Sequence, residues 1–371
     1  MKISFNAMLL SAPSFGIRSY IYNLLKNFFD LDKVNEYLIY SGSDDFDSKD
    51  NFKIIRPFKN KISASRRILW EHFVLPKLLN NGKTDLFHMP DHILPVLSVK
   101  AKKVITIHDL SFYIYPETFN FSKRFYKKLL TPYSVKNADF IIADSNSTKS
   151  DIIKLFSYQE QKIKVVYIGV SEMFKKINDQ NLLKKIRSKR RLPKNFIIFV
   201  GTLEKRKNIE LLIDSFADLV RQKKIDHDLI IVGKKGWLFE GIFEKINKKE
   251  LAGRVKFIFD TTDDELPILY NLADLMVYPS LYEGFGLPVV ESMACGCPVI
   301  TSNVSSLKEI ACGAAILINP RDKEELSYYI EKVLTDENLR NDLITKGFQR
   351  AKNFTWRKCA EETLQIYNSI L

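Results

Sequence analysis

The sequence predicts an α/β protein built from two consecutive doubly wound, Rossmann-like domains, each a parallel sheet covered by helices. Three observations predict it. The 371 residues exceed what one compact core supports, so two domains are the natural division. Short, β-branched apolar runs recur along the chain and are mostly continuous, which marks strands covered on both faces. Segments with helical spacing separate those runs, and such alternation builds α/β units with right-handed crossovers.

The expected strands of the first half are KISFN (Lys2–Asn6), EYLIYSG (Glu36–Gly42), DLFHMP (Asp85–Pro90), KVITIHD (Lys103–Asp109), DFIIADS (Asp139–Ser145) and KIKVVYIG (Lys162–Gly169). Those of the second half are NFIIFVG (Asn195–Gly201), DLIIVGK (Asp228–Lys234), RVKFIFD (Arg254–Asp260), DLMVYPS (Asp274–Ser280), CPVITSN (Cys297–Asn303) and AAILINP (Ala314–Pro320). Several end on Gly, Asp, Ser or Pro, at the edge where open α/β sheets place ligands. Helical spacing marks SYIYNLLKNFF, KRFYKKLLTPYSV, NIELLIDSFADLVRQ, DELPILYNLA and KEELSYYIEKVL. Ser171–Asn195 has no strand, is strongly basic and carries a proline near its end, so the hinge belongs there. The expected division is a first domain over 1–175, a linker over 176–194 and a second domain over 195–354. A closing amphipathic helix, about 355–371, is N-capped by Thr355 and expected to pack back onto the first domain.

Composition narrows the function classes. Hydrophobic residues at 46% and aromatics at 12% exclude a disordered chain. No apolar run approaches the roughly 20 residues that span a bilayer, and MKISFNAMLL reads as a buried first strand, not a signal peptide. Cys295, Cys297, Cys312 and Cys359 sit among apolar or small neighbours without zinc spacing, so buried free thiols and a reducing cytoplasm are expected. The net charge is +13, spread over Lys59–Arg67, Ser122–Lys128 and Lys184–Arg191. Much of it solvates helix faces. Of the specific readings, an anionic membrane surface suits basic segments interleaved with Phe, Tyr, Trp and Leu. Nucleic acid is disfavoured, because the chain has no zinc finger, RNP-type signature or basic heptad region.

The most informative stretch is LYEGFGLPVVESMACGCPVITSN, Leu281–Asn303, whose only carboxylates are Glu283 and Glu291. It reads as a glycine loop opening a helix at Leu287–Pro288, with Gly296 ending that helix before a strand. A glycine loop feeding a helix N-terminus is a ready phosphate site, because backbone N–H groups and the positive dipole end converge there. Gly284 and Gly286 allow close approach of the backbone. Glu283 lies before the helix and Glu291 a turn inside it, so they bracket the phosphate and are not an acid/base dyad. Both can accept hydrogen bonds from sugar hydroxyls; a dipole-stabilising Glu291 and a solvent-facing Glu283 are the plain alternative. A second cue is FVGTLEKRKNIELLIDSF, where a strand ends at Gly201 and Lys205, Arg206 and Lys207 precede a helix. Cations there can neutralise a diphosphate leaving group.

In the first half, His108 and Asp109 follow KVITI at a strand edge, as an acid/base pair or as a capping arrangement. Gly16 sits in the first strand-to-helix loop. His88 reads as structural, and Ser145 either faces the site or caps a helix.

Taken together, E-G-F-G-L-P-x-x-E-x-M-A-x-G-x-P-V from Glu283 and G-T-L-E-x-R-K-N from Gly201 resemble family 4 of the retaining glycosyltransferases (glycosyl transferases group 1), with mannosyltransferase-like character. IHDL, ADFIIADSNSTKSDI, KIKVVYIGV, LPILYNLADLMVYPS, SSLKEIACGAAILINP and the final FTW helix extend the resemblance over the whole chain. It implies the GT-B fold, two Rossmann-like domains facing across a deep cleft. It also implies that Glu283 contacts the donor sugar and Glu291 the ribose. Lys207, Arg206 and the backbone of Gly286 and Leu287 would take the diphosphate, with Gly201, Thr202, Gly284 and Phe285 in the same loops. Thr202 stands where many members have arginine, so Arg206 is expected to compensate. His108 would lie near the donor sugar, and Gly16 opposite the diphosphate. No cofactor or metal is implied, since basic side chains replace Mg²⁺ and no Asp-x-Asp motif suggests one.

The expected activity is transfer of a hexose, mannose-like, from a GDP- or UDP-sugar to a hydroxyl of a glycan or lipid-linked acceptor. Configuration is retained, domain closure excludes water, and the enzyme works in surface polysaccharide or lipopolysaccharide biosynthesis. It would be cytoplasmic, peripheral on the inner face of the membrane. A GT-B phosphorylase or epimerase would instead release sugar phosphate or epimerised donor. A non-catalytic subunit of a polysaccharide assembly complex would bind donor without turnover, and a nucleic-acid binder would bind salt-sensitively without donor.

Overall fold

The structure, a computed structural model, describes residues 1–11, 15–59, 62–236 and 240–370. The basic stretch Lys59–Arg67, the loop before Gly16 and the closing helix therefore each include positions outside the described residues. Two compact units emerge: unit 1 takes Met1–Ile114, Asn120–Gly169 and the segment from Thr355, and unit 2 takes Tyr115–Phe119 and Val170–Phe354.

Unit 1 is a sheet of β1 (Lys2–Ala7), β2 (Glu36–Ser41), β3 (Phe52–Ile55), β4 (Leu86–Met89), β5 (Lys102–Ile107), β6 (Phe140–Ala143) and β7 (Ile163–Val165). Their order is β3-β2-β1-β4-β5-β6-β7, and each neighbouring pair is parallel. Unit 2 has β8 (Phe196–Val200), β9 (Asp228–Val232), β10 (Val255–Ile258), β11 (Leu275–Tyr278), β12 (Val299–Ser302) and β13 (Ile316–Ile318), in the order β10-β9-β8-β11-β12-β13. These pairs are also parallel. The strand order reverses beside β1 in unit 1 and beside β8 in unit 2, the topological switch points that host ligands in such sheets. β1, β8 and β11 are buried along nearly their whole length, as strands covered by helices on both faces require.

One strand escaped the sequence pattern. β3 alternates, with Phe52 and Ile54 buried and Lys53 exposed, because it pairs only with β2 and lies at the sheet edge. The stretch 176–194 contains a helix, Gln180–Lys189, N-capped by the Asp179 carboxylate. Its Leu183 and Ile186 pack on Ile268, and the adjoining Arg190 bridges to Asp260 at 2.7 Å while Lys189 reaches Glu265 at 2.8 Å. Part of that basic run thus braces unit 2. Cys295, Cys297 and Cys359 are buried free thiols, but Cys312 is exposed, because it forms the left-handed end of the helix Ser305–Ala311.

The helix Trp356–Ile370 starts under a Thr355 cap, with Lys358 N donating to Thr355 Oγ1 at 3.2 Å. It lends Tyr367 to the core of unit 1, where the phenol meets His88 Nδ1. His88 Nε2 faces Thr106 Oγ1 at 2.8 Å, so His88 is a core histidine with both ring nitrogens satisfied. Burial pulls its pKa down to about 3. The folded state therefore binds fewer protons there than the unfolded chain, and stability should fall as pH drops from about 6.5 towards 3.

Gly169 lies against the start of that helix, and a Cβ there would stand 2.1 Å from Trp356 N and 2.6 Å from the Thr355 carbonyl carbon. Both are backbone atoms that cannot swing away. Gly169→Ala should cost about 1–3 kcal/mol, seen as a lower thermal midpoint. Gly241→Ala, in a helix with nothing within 4 Å of the added carbon, should leave the midpoint unchanged or raise it.

Candidate active site

The site of unit 2 grows from two loops leaving adjacent strands. After β8 the chain turns through Lys205–Lys207 into the helix Ile209–Arg221; after β11 it runs through Pro279–Gly286 into the helix Leu287–Ala294. The loops are tied together. Leu281 N donates to Arg206 O at 2.8 Å, and Asn208 Nδ2 donates to Pro279 O at 3.0 Å.

Glu283 lies at the junction, 7% exposed. Lys207 Nζ stands 2.6 Å from its Oε1 and Arg206 Nη1 3.0 Å from its Oε2. The Ser280 and Tyr278 hydroxyls reach Oε1 at 2.6 and 2.9 Å, and Lys207 Nζ also donates to the Tyr278 hydroxyl at 2.6 Å. Arg206 is shared with Glu204 Oε1 at 2.7 Å and the Tyr282 carbonyl. Burial would raise the Glu283 pKa, but the Arg206 and Lys207 charges outweigh it and hold it at about 2. Burial lowers Lys207, with Glu283 opposing. Glu283 is therefore a fixed anion that accepts hydrogen bonds and does not shuttle protons at neutral pH.

The glycine loop is held by the start of the neighbouring helix. Ser305 Oγ accepts from Glu283 N at 2.9 Å, and Ser306 Oγ lies 2.9 and 2.8 Å from the carbonyls of Glu283 and Phe285. Gly286 has φ 104° and caps the helix Leu287–Ala294, which carries Pro288 in its first turn. That backbone angle disfavours any side chain, and a Cβ would meet Leu307 Cδ2 at 2.7 Å. Gly296, with φ 76°, follows the helix end. Glu291, half-buried, stands beside Tyr270, whose hydroxyl donates to Oε2 at 3.2 Å. Burial, only partly offset by that bond, raises Glu291 to about 7.

The structure thus brings Arg206, Lys207 and Glu283 into one cluster and places Gly284, Phe285, Gly286 and Leu287 between it and Glu291. Gly201 ends β8, its N–H bonded to Val232 O at 2.9 Å; Thr202 is exposed and is not among the partners of Glu283. Sequence reasoning missed Tyr278, Ser280 and Tyr270. The YPS that closes β11, immediately before the glycine loop, was the signal for the first two.

In unit 1, Gly16 lies in the first turn of the helix Phe15–Leu31, exposed, and not in the loop where the sequence put it. Asp109 is not the partner of His108: its Oδ1 accepts from Ser111 N at 2.8 Å, the capping alternative. His108 Nδ1 instead meets Asp144 Oδ2 at 2.6 Å, and Nε2 faces the Pro90 carbonyl at 3.2 Å. Tyr20 packs edge-on to the ring at 4.7 Å. A ring between a carboxylate and a carbonyl satisfies both only when doubly protonated. Burial lowers the His108 pKa, but Asp144 outweighs it and raises it to about 9. Asp144, which sequence reasoning passed over, makes His108 an imidazolium and not a base. Ser145 caps the helix Asn146–Phe156 by accepting from Thr148 N at 3.0 Å. Among the described residues no cluster of three or more His, Cys, Asp or Glu is placed to hold a metal ion, and no helix is long and apolar enough to cross a membrane.

Comparison with known proteins places this architecture. Residues 183–350 match the family Glycosyl transferases group 1, and residues 16–172 match Glycosyltransferase Family 4. The O-antigen chain mannosyltransferase B of Escherichia coli is 30% identical over 289 residues, covering 78% of this chain and 75% of that protein. The O-antigen chain mannosyltransferase RfbU of Salmonella typhimurium is 28% identical, over 74% of this chain and 73% of its own length. Among solved structures, sucrose-phosphate synthase from Thermosynechococcus elongatus superposes with a TM-score of 0.76 at 21% identity, covering 100% and 99% of the two chains. HepE of Anabaena, solved with UDP and glucose, gives 0.74 at 20% identity over 100% of both. The two parallel-sheet units have the GT-B architecture, and the protein is a glycosyltransferase. The chain belongs to the glycosyl transferases group 1 family.

The His108–Asp144 pair gives a prediction with a sign. Because folding raises the His108 pKa, its contribution to stability is complete below about pH 6.5 and fades as pH rises through 9. In Asp144→Asn the ring should titrate at the ordinary value of about 6.5 or lower, measured by NMR of the imidazole protons. An unchanged titration would exclude Asp144 as the cause.

Proposed function

We propose that this enzyme moves a hexose, mannose by preference, from a GDP- or UDP-sugar to a hydroxyl of a glycan or lipid-linked acceptor in surface polysaccharide or lipopolysaccharide synthesis. The observation that carries the reading is Glu283, buried between Lys207 and Arg206 beside a glycine loop that opens a helix. The named activity of the O-antigen mannosyltransferase relatives supports the sugar and the acceptor class.

In this reading, the diphosphate lies over Gly286 and Leu287. Lys207 and Arg206 neutralise the charge that grows on it as the sugar departs, in place of a metal. Glu283 orients the sugar hydroxyls as a fixed acceptor, and Glu291 accepts from the ribose. A carboxylate surrounded by four donors is a poor nucleophile, so retention is assigned to departure and attack on the same face of the sugar.

Glu283→Ala and Lys207→Ala should each lower kcat by on the order of 10²–10³ in donor hydrolysis or transfer. Wild-type activity in both variants would remove the assignment. A thermal-shift panel of UDP, GDP, ADP and dTDP sugars identifies the donor, since a ligand at a hundred times its Kd adds about 2.7 kcal/mol to the folded state. Nucleotide affinity should weaken as pH falls below about 7, where Glu291 takes a proton, loses its charge and turns one acceptor oxygen into a donor; Glu291→Gln should lose that pH dependence.

A further inference from the structure

We propose that one face of unit 1, formed by the helices Ala64–Phe73, Leu75–Asn81 and Phe121–Asn137 with the loop between β4 and β5, docks on an anionic lipid bilayer. The inference rests on the proposed lipid-linked acceptor for its purpose, but its observations are independent of the site.

Large apolar side chains stand out of these helices into solvent. Phe121, Phe125 and Leu129, spaced four apart on one helix, are 71%, 58% and 61% exposed, and Leu69 on another is 59% exposed, with Phe73 and Val74 beside it. The elements form one continuous surface. The Tyr126 hydroxyl meets His72 Nε2 at 2.8 Å, joining the first helix to the third. Val96 of the loop donates to His72 Nδ1 at 3.2 Å and accepts from the Tyr133 hydroxyl at 3.2 Å. Asn80 Nδ2 donates to Ser98 O at 3.0 Å, which ties in the second helix. Apolar surface that is scattered singly needs no explanation, whereas a continuous patch does.

Charge selects the occupant. The helix Phe121–Asn137 carries Lys123, Arg124, Lys127, Lys128 and Lys136 and no carboxylate. Across the three helices and the loop between β4 and β5, the acidic residues are Glu71 and Asp91, and Asp91 is paired with His92 at 2.5 Å. Glu71 is buried, and Arg67 Nη1 and Asn6 Nδ2 bind it at 2.7 and 3.0 Å. The outward face is therefore cationic and apolar together, and the Arg124 guanidinium lies 5.6 Å from the centre of the exposed Phe121 ring. Aromatic and aliphatic groups entering the acyl boundary while lysines meet anionic headgroups is how an interfacial helix binds. A second copy of the chain would bring cations against cations across a two-fold interface, so self-association is disfavoured.

The test is flotation of the full chain with vesicles of phosphatidylcholine alone and of phosphatidylcholine with phosphatidylglycerol. Binding is expected to the anionic vesicles only, weakening as salt rises. Phe125→Ser with Leu129→Ser should lower it at least tenfold, and Lys123→Ser with Lys136→Ser by about fivefold per lysine. These positions are exposed, so thermal midpoints and donor turnover should stay at the wild-type level. No binding to anionic vesicles, equal binding to both vesicle types, or binding undiminished in both variants overturns the proposal. So does an apolar-face-dependent dimer in place of vesicle binding. Vesicle binding without donor turnover would sink the glycosyl-transfer reading and leave this one standing.

Discussion

A buried carboxylate must be paired, and most of unit 2 around the site follows from how Glu283 is paired. Leaving an ionised group in a low-dielectric interior costs several kcal/mol, so the loop after β8 and the loop after β11 have to meet. Lys207 and Arg206 come from one, Ser280 and Glu283 itself from the other, and Tyr278 from the end of β11. The meeting is feasible because β8 and β11 are neighbours at the point where the strand order reverses. Topology supplies the crevice, and the ion cluster fixes its walls.

The two glutamates that flank the glycine loop show how environment divides one side-chain type into two chemical states. Glu283 is held at about 2 by two cations, whereas burial, with the Asp263 charge and against the Tyr270 hydroxyl, raises Glu291 to about 7. Between them, Gly286 takes a backbone angle that other residues avoid, and Ser305 and Ser306 hold the loop from behind. A loop fixed by its own backbone contacts is preorganised, so a ligand would not have to meet the ordering cost.

Two histidines of unit 1 show the same contrast. His88 is enclosed by a tyrosine and a threonine, and burial keeps it neutral; His108 faces a carboxylate and a carbonyl, and Asp144 keeps it charged. His88 lies within β4 and His108 directly after β5, each preceded by apolar residues, and nothing in that sequence separates their roles. Unit 1 also divides its charge, with Glu71 buried under Arg67 while Lys123 and Lys136 of Phe121–Asn137 remain exposed.

The strands of both sheets were legible because continuous β-branched runs mean burial on both faces, a property of local composition. β3 escaped because an edge strand alternates. The glycine loop, Pro288 at the helix start and Gly296 at its end were legible because backbone geometry restricts those positions to particular residue types. The chain order alone also set Glu283 and Glu291 on either side of that loop. Only the tertiary structure decided who pairs with whom. It joined Lys207 and Arg206 to Glu283 across 76 or 77 positions, gave His108 to Asp144 and not to the adjacent Asp109, and placed Tyr270 against Glu291. Partners chosen across adjacent strand ends carry no local sequence period, and the protonation states that follow depend on burial, which no single residue type encodes.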